Sequence, residues 1–377
     1  MAQKTSISRL KLTDFRNYAA ASLVLDNRHV VLTGENGAGK TNLMEAISFL
    51  SPGRGFRRAV LTDVTRVGAD GGFAIFVDLD GMQGEVAIGT GTEPGDGESV
   101  SRKLRINSTP AKSTEELSDH LNVLWLTPSM DGLFTGSSSD RRRFLDRLVL
   151  SLDPTHARRA SDFERSMRSR NRLLSEGRFD PAWLAAIETQ MAELGIAMAA
   201  ARHEMLGLLQ SLSVNSAETP FPTPALALEG FMDGGMDRPA ADLEEDYLVA
   251  LRNGRGRDAA AGRTLEGPHR VDLLVRHQEK NIEASRCSTG EQKALLIGLI
   301  LAHARLTADM TGFAPILLLD EIAAHLDEGR RATLFDLVDG LGGQAFMTGT
   351  DQSMFAALGD RAQFFTVSHG SVTPGKA

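Results

Sequence analysis

Residues 34–41 read Gly34-Glu35-Asn36-Gly37-Ala38-Gly39-Lys40-Thr41, which fits GxxxxGK[ST] at every position. No other stretch constrains the fold as tightly, because this chemistry needs a strand before the loop and a helix after it. The glycines let backbone N–H groups curl around a β-phosphate, and the helix starting near Lys40 aims its positive end at the same anion. Lys40 would reach the β- and γ-phosphates, and the Thr41 hydroxyl would ligate Mg²⁺. The flanks agree. His29-Val30-Val31-Leu32 is an apolar strand, while Leu43, Ala46, Ile47 and Leu50 recur at helical spacing until Pro52-Gly53. A Gly-rich turn with an incidental lysine is the plainer alternative, but it does not account for those flanks.

A second stretch, Ile316-Leu317-Leu318-Leu319-Asp320-Glu321, is an apolar strand ending in two carboxylates. Asp320 would then lie at the strand's C-terminal edge beside the phosphate loop, where it can hold Mg²⁺ through water. Glu321 would be positioned to orient or deprotonate an attacking water. One carboxylate alone would suit a nucleotide switch or a kinase; the adjacent glutamate points to hydrolysis. The alternative is that both residues are simply the polar end of a buried strand.

Around these motifs the pattern is α/β with a helical middle. Strand-like stretches cover residues 7–33 and 73–106, with a Gly/Glu/Pro-rich hairpin loop at 91–101. Past residue 126 the character turns helical. Residues 138–176 are Arg-rich and free of glycine, and 182–212 carry one apolar stripe whose methionines read as core filler. A polar connection follows at 213–224, then a helix at 240–252 and a basic, flexible loop at 254–262. After Gly267 the alternation returns: helix 289–306, strand 315–320, helix 327–338, strand 344–348, a short helix near 352–358 and strand 363–367. Continuous apolar runs separated by helices are the mark of buried parallel strands. The expected layout is an α/β head made from both chain ends, residues 1–125 and 263–377, with a helical, Arg-rich lobe at 126–262.

Ser288-Thr289-Gly290-Glu291-Gln292-Lys293 opens a helix before the acidic strand end. By itself it reads as a capping box, with Ser288 as N-cap and Glu291 at the third position. Placed there, it also resembles the S-x-G-x-Q element of ABC-type ATPases, and Ala323-Ala324-His325-Leu326-Asp327 looks like their D-loop. A head split between both termini narrows the resemblance to the SMC/Rad50/RecF branch. Phe15-Arg16-Asn17-Tyr18, the 51–58 stretch with Arg54, Arg57 and Arg58, Arg141-Arg142-Arg143-Phe144-Leu145-Asp146 and Gly267-Pro268-His269-Arg270 are similar to the RecF family within it. The insertion of about 140 residues is too short for the long coiled coils of the other branches. This resemblance implies that Ser288 and Gly290 contact the γ-phosphate held by a second protomer, with Asp327 at that interface and Arg16 near the nucleotide. It also implies ATP and Mg²⁺ as cofactors, an ATP-dependent homodimer, DNA that is single-stranded, gapped or junctional, and RecR- or RecO-type partners. Two departures stand out. No histidine follows the strand Phe346-Met347-Thr348, so hydrolysis should be slow, and Val271 replaces an acidic residue after GPHR.

Composition bears on the DNA question. The 377 residues carry 41 Lys+Arg against 49 Asp+Glu, a net −8, which argues against a surface that coats nucleic acid everywhere. Residues 141–172 nevertheless hold ten arginines and four acids, so +6 is concentrated there and −14 is spread elsewhere. Such segregation is the footprint of a polyanion site, with Arg141, Arg142, Arg143, Arg158, Arg159 and Arg168 as candidate DNA contacts and Arg57 and Arg58 as a second cluster. Ion pairs between packed helices are the alternative. Only Phe144 and Phe163 lie among them, so backbone contact is expected rather than base stacking. The single cysteine, Cys287, excludes an internal disulfide. The first residues carry no secretory signal, and the longest apolar stretches, 294–302 and 314–319, are too short to span a bilayer; a cytoplasmic protein is expected.

By that resemblance, the expected activity is an ATP-gated DNA-binding protein of recombinational repair and fork recovery, a weak DNA-dependent ATPase that helps load recombinase at gaps and supports the SOS response. A transporter's nucleotide-binding subunit is the main rival, but it would have an uninterrupted head. An ATP-gated nuclease would require a further cluster of metal-binding carboxylates.

Overall fold

The computed structural model describes residues 3–93, 101–177, 180–213, 220–234 and 236–375. The first part forms β1 (Ser6–Phe15), β2 (Tyr18–Val24), β3 (His29–Thr33), α1 (Lys40–Ser48), α2 (Leu61–Val64), β4 (Ala74–Gly81), β5 (Gly84–Gly91), β6 (Lys103–Ile106), β7 (Thr109–Pro110) and β8 (Val123–Leu126). The middle forms α3 (Ser138–Leu150), α4 (His156–Glu176), α5 (Pro181–Ser213), β9 (Pro224–Glu229), α6 (Ala240–Ala261), β10 (Asp272–His277) and β11 (Ile282–Glu283). Last come α7 (Thr289–Thr311), β12 (Ile316–Leu319), α8 (Glu328–Gly340), β13 (Ala345–Gly349), β14 (Ala362–Ser368) and β15 (Ser371–Pro374).

The chain divides into two compact units, a head from Met1–Asp131 and Leu296–Ala377 and a lobe lying within residues 132–295. The head's central sheet has the order β15-β14-β3-β13-β12-β8 and is parallel from β14 to β8. Strands β3, β8, β12 and β13 are buried at every residue, which is why their sequences are mostly apolar rather than alternating. Their shared direction brings the ends of β3, β12, β13 and β14 to one edge, where ligands bind in open α/β sheets. The second sheet, β2-β1-β4-β5-β6-β7, is antiparallel and built from consecutive segments. Its β1 and β4 alternate buried and exposed residues, so one face is wet. Phe15, Phe49 and Phe73 meet edge to face at 5.5–6.0 Å and tie that sheet to the end of α1.

In the lobe, the helical stretch at 138–176 is two helices. Asp153-Pro154-Thr155 separates them: the Asp153 carboxylate accepts from the Thr155 N–H (3.1 Å) and hydroxyl (2.6 Å), and Pro154 has no N–H to give. The loop expected at 254–262 is instead helix, since α6 runs to Ala261. Two glycines there cost roughly 1 kcal/mol each relative to alanine, but Asp258 receives Arg170 at 2.7 Å and Arg255 pairs with Glu188, anchoring both sides of that turn. Strands β9, β10 and β11 form a small sheet that sequence reading did not find. Their signal was short period-2 alternation, Leu226 and Leu228 opposite Leu273 and Val275. Through that sheet, residues 263–295 group with the lobe rather than with the C-terminal head. The hairpin loop expected at 91–101 and the connection at 213–224 fall largely outside the described residues. β15, also unforeseen, pairs antiparallel with β14. Helix α7 is long and apolar enough to cross a membrane by length and composition, yet Leu295, Leu296, Ile297, Leu299 and Ile300 are buried within the protein.

Candidate nucleotide site and basic surfaces

The phosphate loop leaves β3 through Gly34 and enters α1 at Gly39-Lys40. Two glycines here have no substitute. Gly34 sits at φ +143° with the Val367 carbonyl oxygen 2.2 Å from where a Cβ would be, and Gly39, at φ +119°, would drive a Cβ into Asn17 and Tyr18. No side chain caps α1, so its first-turn N–H groups remain for an anion. Lys40 is folded back, its Nζ donating to the carbonyls of Gly34 (2.6 Å) and Glu35 (2.8 Å). Burial lowers its pKa, against the opposing pull of Glu321 and Asp320.

Asp320 comes to the same place from the end of β12. Its Oδ1 accepts from the hydroxyls of Thr41 (3.1 Å) and Thr348 (2.6 Å). Burial raises its pKa, and those two hydroxyls only partly offset the shift. Among the described residues neither Asp320 nor Glu321 forms an ion pair. Glu321 stands at φ 52°, ψ 26°, unusual for a non-glycine residue, with its N–H donating to Thr348 Oγ1 at 2.8 Å. Lys40, Thr41, Asp320 and Glu321 are therefore brought together. Thr348 carries no motif of its own in the sequence, yet its hydroxyl joins both carboxylate residues.

The turn after β1 braces the loop from beneath. Asn17 Nδ2 donates to the Ala38 carbonyl (3.0 Å), the Tyr18 hydroxyl to the Gly39 carbonyl (3.0 Å), and Asn42 Nδ2 to Asn17 Oδ1 (2.8 Å). Arg16 makes a two-pronged bond to Glu45 on α1 (2.9 and 2.6 Å). Glu45 is fully buried and also takes Arg57 at 2.7 Å, while Arg57 reaches Asn42 at 2.6 Å. The bonds of Asn17, Tyr18 and Glu45 are not readable from sequence because they depend on where two distant turns meet. Arg54 and Arg58 are exposed on the loop that follows.

The segment from Ser288 is the capping box that its sequence allows: Ser288 N–H and Oγ both reach Glu291 Oε2, at 2.8 and 2.7 Å. A hydrogen bond from Lys280, and then those from Ser288, pull the Glu291 pKa down to about 2. Ser288, Thr289 and Gly290 are exposed, and nothing lies within 4 Å of where a Gly290 Cβ would be. Asp327 caps α8 by accepting from the Arg330 N–H at 2.9 Å and is itself exposed.

The lobe narrows the expectation that residues 141–172 present their arginines as one polyanion surface. Arg141 reaches inward to both oxygens of Asp272 (2.7 Å each), and Arg142 donates to the Val271 carbonyl (2.7 Å). Arg143 pairs with Asp140 and Arg159 with Asp153. Arg170 is fully buried among Glu188, Asp258, Thr264 and the Leu251 carbonyl. Along α4, Arg158, Arg165, Arg168 and Arg172 are exposed, the last three in surface ion pairs with Asp162, Glu164 and Glu176. Their spacing along α4 puts all four on one stripe of the helix. The GPHR stretch, which sequence reading left without a role, is structural: Arg202 donates to the Pro268 carbonyl (2.7 Å), His269 meets the Thr264 carbonyl (3.0 Å), and a Cβ on Gly267 would strike the Tyr247 hydroxyl.

Residues 6–373 match the family described as RecF/RecN/SMC N terminal domain. The DNA replication and repair protein RecF of Agrobacterium fabrum is 75% identical over 375 residues, covering 99% of this chain and 100% of that protein. Its counterpart in Rhizobium meliloti is 69% identical over 374 residues with the same coverage. Among solved structures, the recombination mediator protein RecF-ATP of the RecFOR pathway superposes with a TM-score of 0.87 at 23% identity, covering 100% of this chain and 99% of that one. An Smc head domain from Pyrococcus yayanosii gives 0.52 at 15% identity over 99% and 97% of the two chains. These superpositions establish the ABC-type ATPase fold, and the full-length sequence matches go further: the chain belongs to the RecF family of DNA replication and repair proteins.

Proposed function

We propose that this chain binds ATP with Mg²⁺ at the phosphate loop, closes as a homodimer on DNA, and hydrolyses the ATP slowly to let go, in the service of recombinational repair and replication-fork recovery. The carrying observation is the convergence of Lys40, Thr41, Asp320 and Glu321 on one sheet edge. Backbone N–H groups of residues 34–41 and the uncapped start of α1 receive the β-phosphate, and Lys40 exchanges its two carbonyl partners for phosphate oxygens. Thr41 and Asp320 are the residues that would hold Mg²⁺; the buried carboxylate, with only hydroxyls on it, fits a cation. When bound, Mg²⁺ supplies neutralisation of the charge on the β- and γ-phosphate oxygens. Glu321, its backbone held by Thr348, orients a water and takes its proton. With no histidine after β13, where related ATPases carry one, turnover is slow.

The exposed helix start at Ser288, with open space before Gly290, supports contact with the γ-phosphate of a second protomer's nucleotide, with Asp327 at the same interface. Arg16 acts on the nucleotide through Glu45 and α1. DNA contact, to single strands, gaps or junctions, falls to Arg158, Arg165, Arg168 and Arg172 and to Arg57 and Arg58, by sequence-independent bonds to phosphates. A structural relative is named as a recombination mediator of the RecFOR pathway. By that likeness RecO- and RecR-type proteins are partners, recombinase loading at gaps and SOS induction are the setting, and the site of action is the cytoplasm.

Light scattering of the protein with and without ATP and DNA, alongside Glu321→Gln, tests the reading. ATP should give a dimer that Glu321→Gln prolongs. A monomer under every condition would overturn it.

A further inference from the structure

The hairpin between β14 and β15 lies against the phosphate loop. The Gly370 N–H donates to the Ala38 carbonyl at 3.4 Å, the Val367 carbonyl abuts Gly34, and a Cβ on Gly370 would fall 2.4 Å from the Asn17 carbonyl oxygen. Between hairpin and loop is a cavity of about 150 Å³ lined by Glu35, Asn36, Gly37, Ala38, Val367, Ser368 and His369. That is well below the ~300–1,000 Å³ of a pocket enclosing a whole ligand, so it admits part of one. None of Lys40, Thr41, Asp320 or Glu321 lines it. The strand order explains why. β14 is next to β3 on one side, and β12 lies beyond β13 on the other, so the hairpin and the carboxylates flank the loop from opposite sides.

His369 is exposed, and among the described residues it makes no hydrogen bond. It sits at φ +45° and Gly370 at φ +75°, two successive left-handed residues in a two-residue hairpin. Such turns favour Asn-Gly, and a histidine in the first position is conformationally strained. The turn therefore does not account for the imidazole, while the cavity in front of it does.

We propose that His369 is a nucleotide-contacting residue, its imidazole hydrogen-bonding the ribose and α-phosphate half of a nucleoside triphosphate on the side of the phosphate loop away from the Mg²⁺ ligands. This rests on the proposed nucleotide binding at residues 34–41. Because that half is common to ATP and ADP, His369 serves affinity for both and is not a sensor of the γ-phosphate.

The test is isothermal titration of ATP and ADP into wild type, Lys40→Ala, His369→Asn and His369→Gly, with a thermal melt of each nucleotide-free protein. Both His369 variants put a residue at least as suited to the left-handed turn, so the nucleotide-free melts should match or exceed wild type. Each should lose about tenfold in affinity for ATP and ADP alike, the size of one bond to a charged or strongly polar group. Unchanged affinity for both nucleotides in either variant would overturn the proposal, as would a loss confined to ATP, which would move the imidazole to the γ-phosphate. If wild type bound neither nucleotide, the proposed ATP site itself would fall and this contact with it. That outcome is distinct from a wild type that binds while the His369 variants bind equally well.

Discussion

Asp320 is buried and Asp146 half-buried, and their carboxylates shift in opposite directions. Beside the phosphate loop, burial raises Asp320, whose carboxylate is hydrogen-bonded only by hydroxyls and is in no ion pair among the described residues. In the lobe, burial pushes Asp146 up as well, but His156 and the two-pronged Arg202 outweigh it and hold the group at about 2. The same contrast separates Lys40, bonded only to carbonyls, from Arg170, which meets two buried carboxylates. One region leaves its charges to be completed by something that arrives. The other cancels them internally and uses them to lock helices together. Charge density read from sequence does not distinguish the two; partners do.

The sharpest way to break this comparison is to remove one cation from each region. Lys40→Ala should weaken ATP binding by roughly 100-fold or more while leaving the nucleotide-free melt almost unchanged, as titration calorimetry and a thermal melt would report. Arg170→Met should do the reverse. It leaves Glu188 and Asp258 buried with less compensation, so chemical denaturation should show a loss of about 3–5 kcal/mol, with nucleotide affinity preserved in the protein that stays folded. If Arg170→Met proved neutral, the lobe's charges would not be structural.

Next in size is the α4 stripe. Replacing Arg158, Arg165, Arg168 and Arg172 together by alanine should lower DNA affinity, and the slope of log K against log salt should flatten by about 0.9 for each DNA phosphate that is no longer neutralised. Fluorescence anisotropy across a salt series measures it. Arg141→Ala is the poorer probe, since it strands Asp272 before it tests any bond to DNA. A smaller effect concerns pH. Asp146 is depressed in the folded state, so its stabilisation is fully present above the ordinary carboxylate value and is lost as pH falls from near 4 toward 2. Wild type should lose its advantage over Asp146→Asn across that window in thermal melts. Smallest is Tyr18→Phe, which removes the bond to the Gly39 carbonyl at a cost of about 1 kcal/mol, read from chemical denaturation.

The nucleotide site was legible because phosphate chemistry fixes residue types at fixed spacings: Gly34 to Thr41, the Asp320-Glu321 strand end and the helix start at Ser288 can be read without coordinates. The parallel sheet was legible for a related reason, its strands being buried on both faces. The lobe was harder. Arg141 and Asp272 are 131 residues apart, and Arg170 and Asp258 are 88 apart, so composition announced the arginines but not their partners. The helix across Gly254 and Gly256 is held by Arg170–Asp258 and Arg255–Glu188, against local propensity. Asn17 and Tyr18 stood in a stretch already singled out, yet their bonds to the phosphate loop depend on tertiary placement alone.

The position of β3 in the central sheet also governs when the protein can be completed. His29 on β3 accepts the N–H of Ala345 on β13, 316 residues further along the chain. At ~5–20 residues per second of ribosomal synthesis, that strand waits roughly 15–60 s for the neighbours on either side of it. The antiparallel sheet needs only consecutive segments and can form in the meantime, so the nascent chain carries an unpaired apolar β3 and an unsupported phosphate loop. Nucleotide binding is thus tied to the production of the last strands, and a chain truncated before β13 should be a substrate for chaperones and proteases rather than a partly active ATPase.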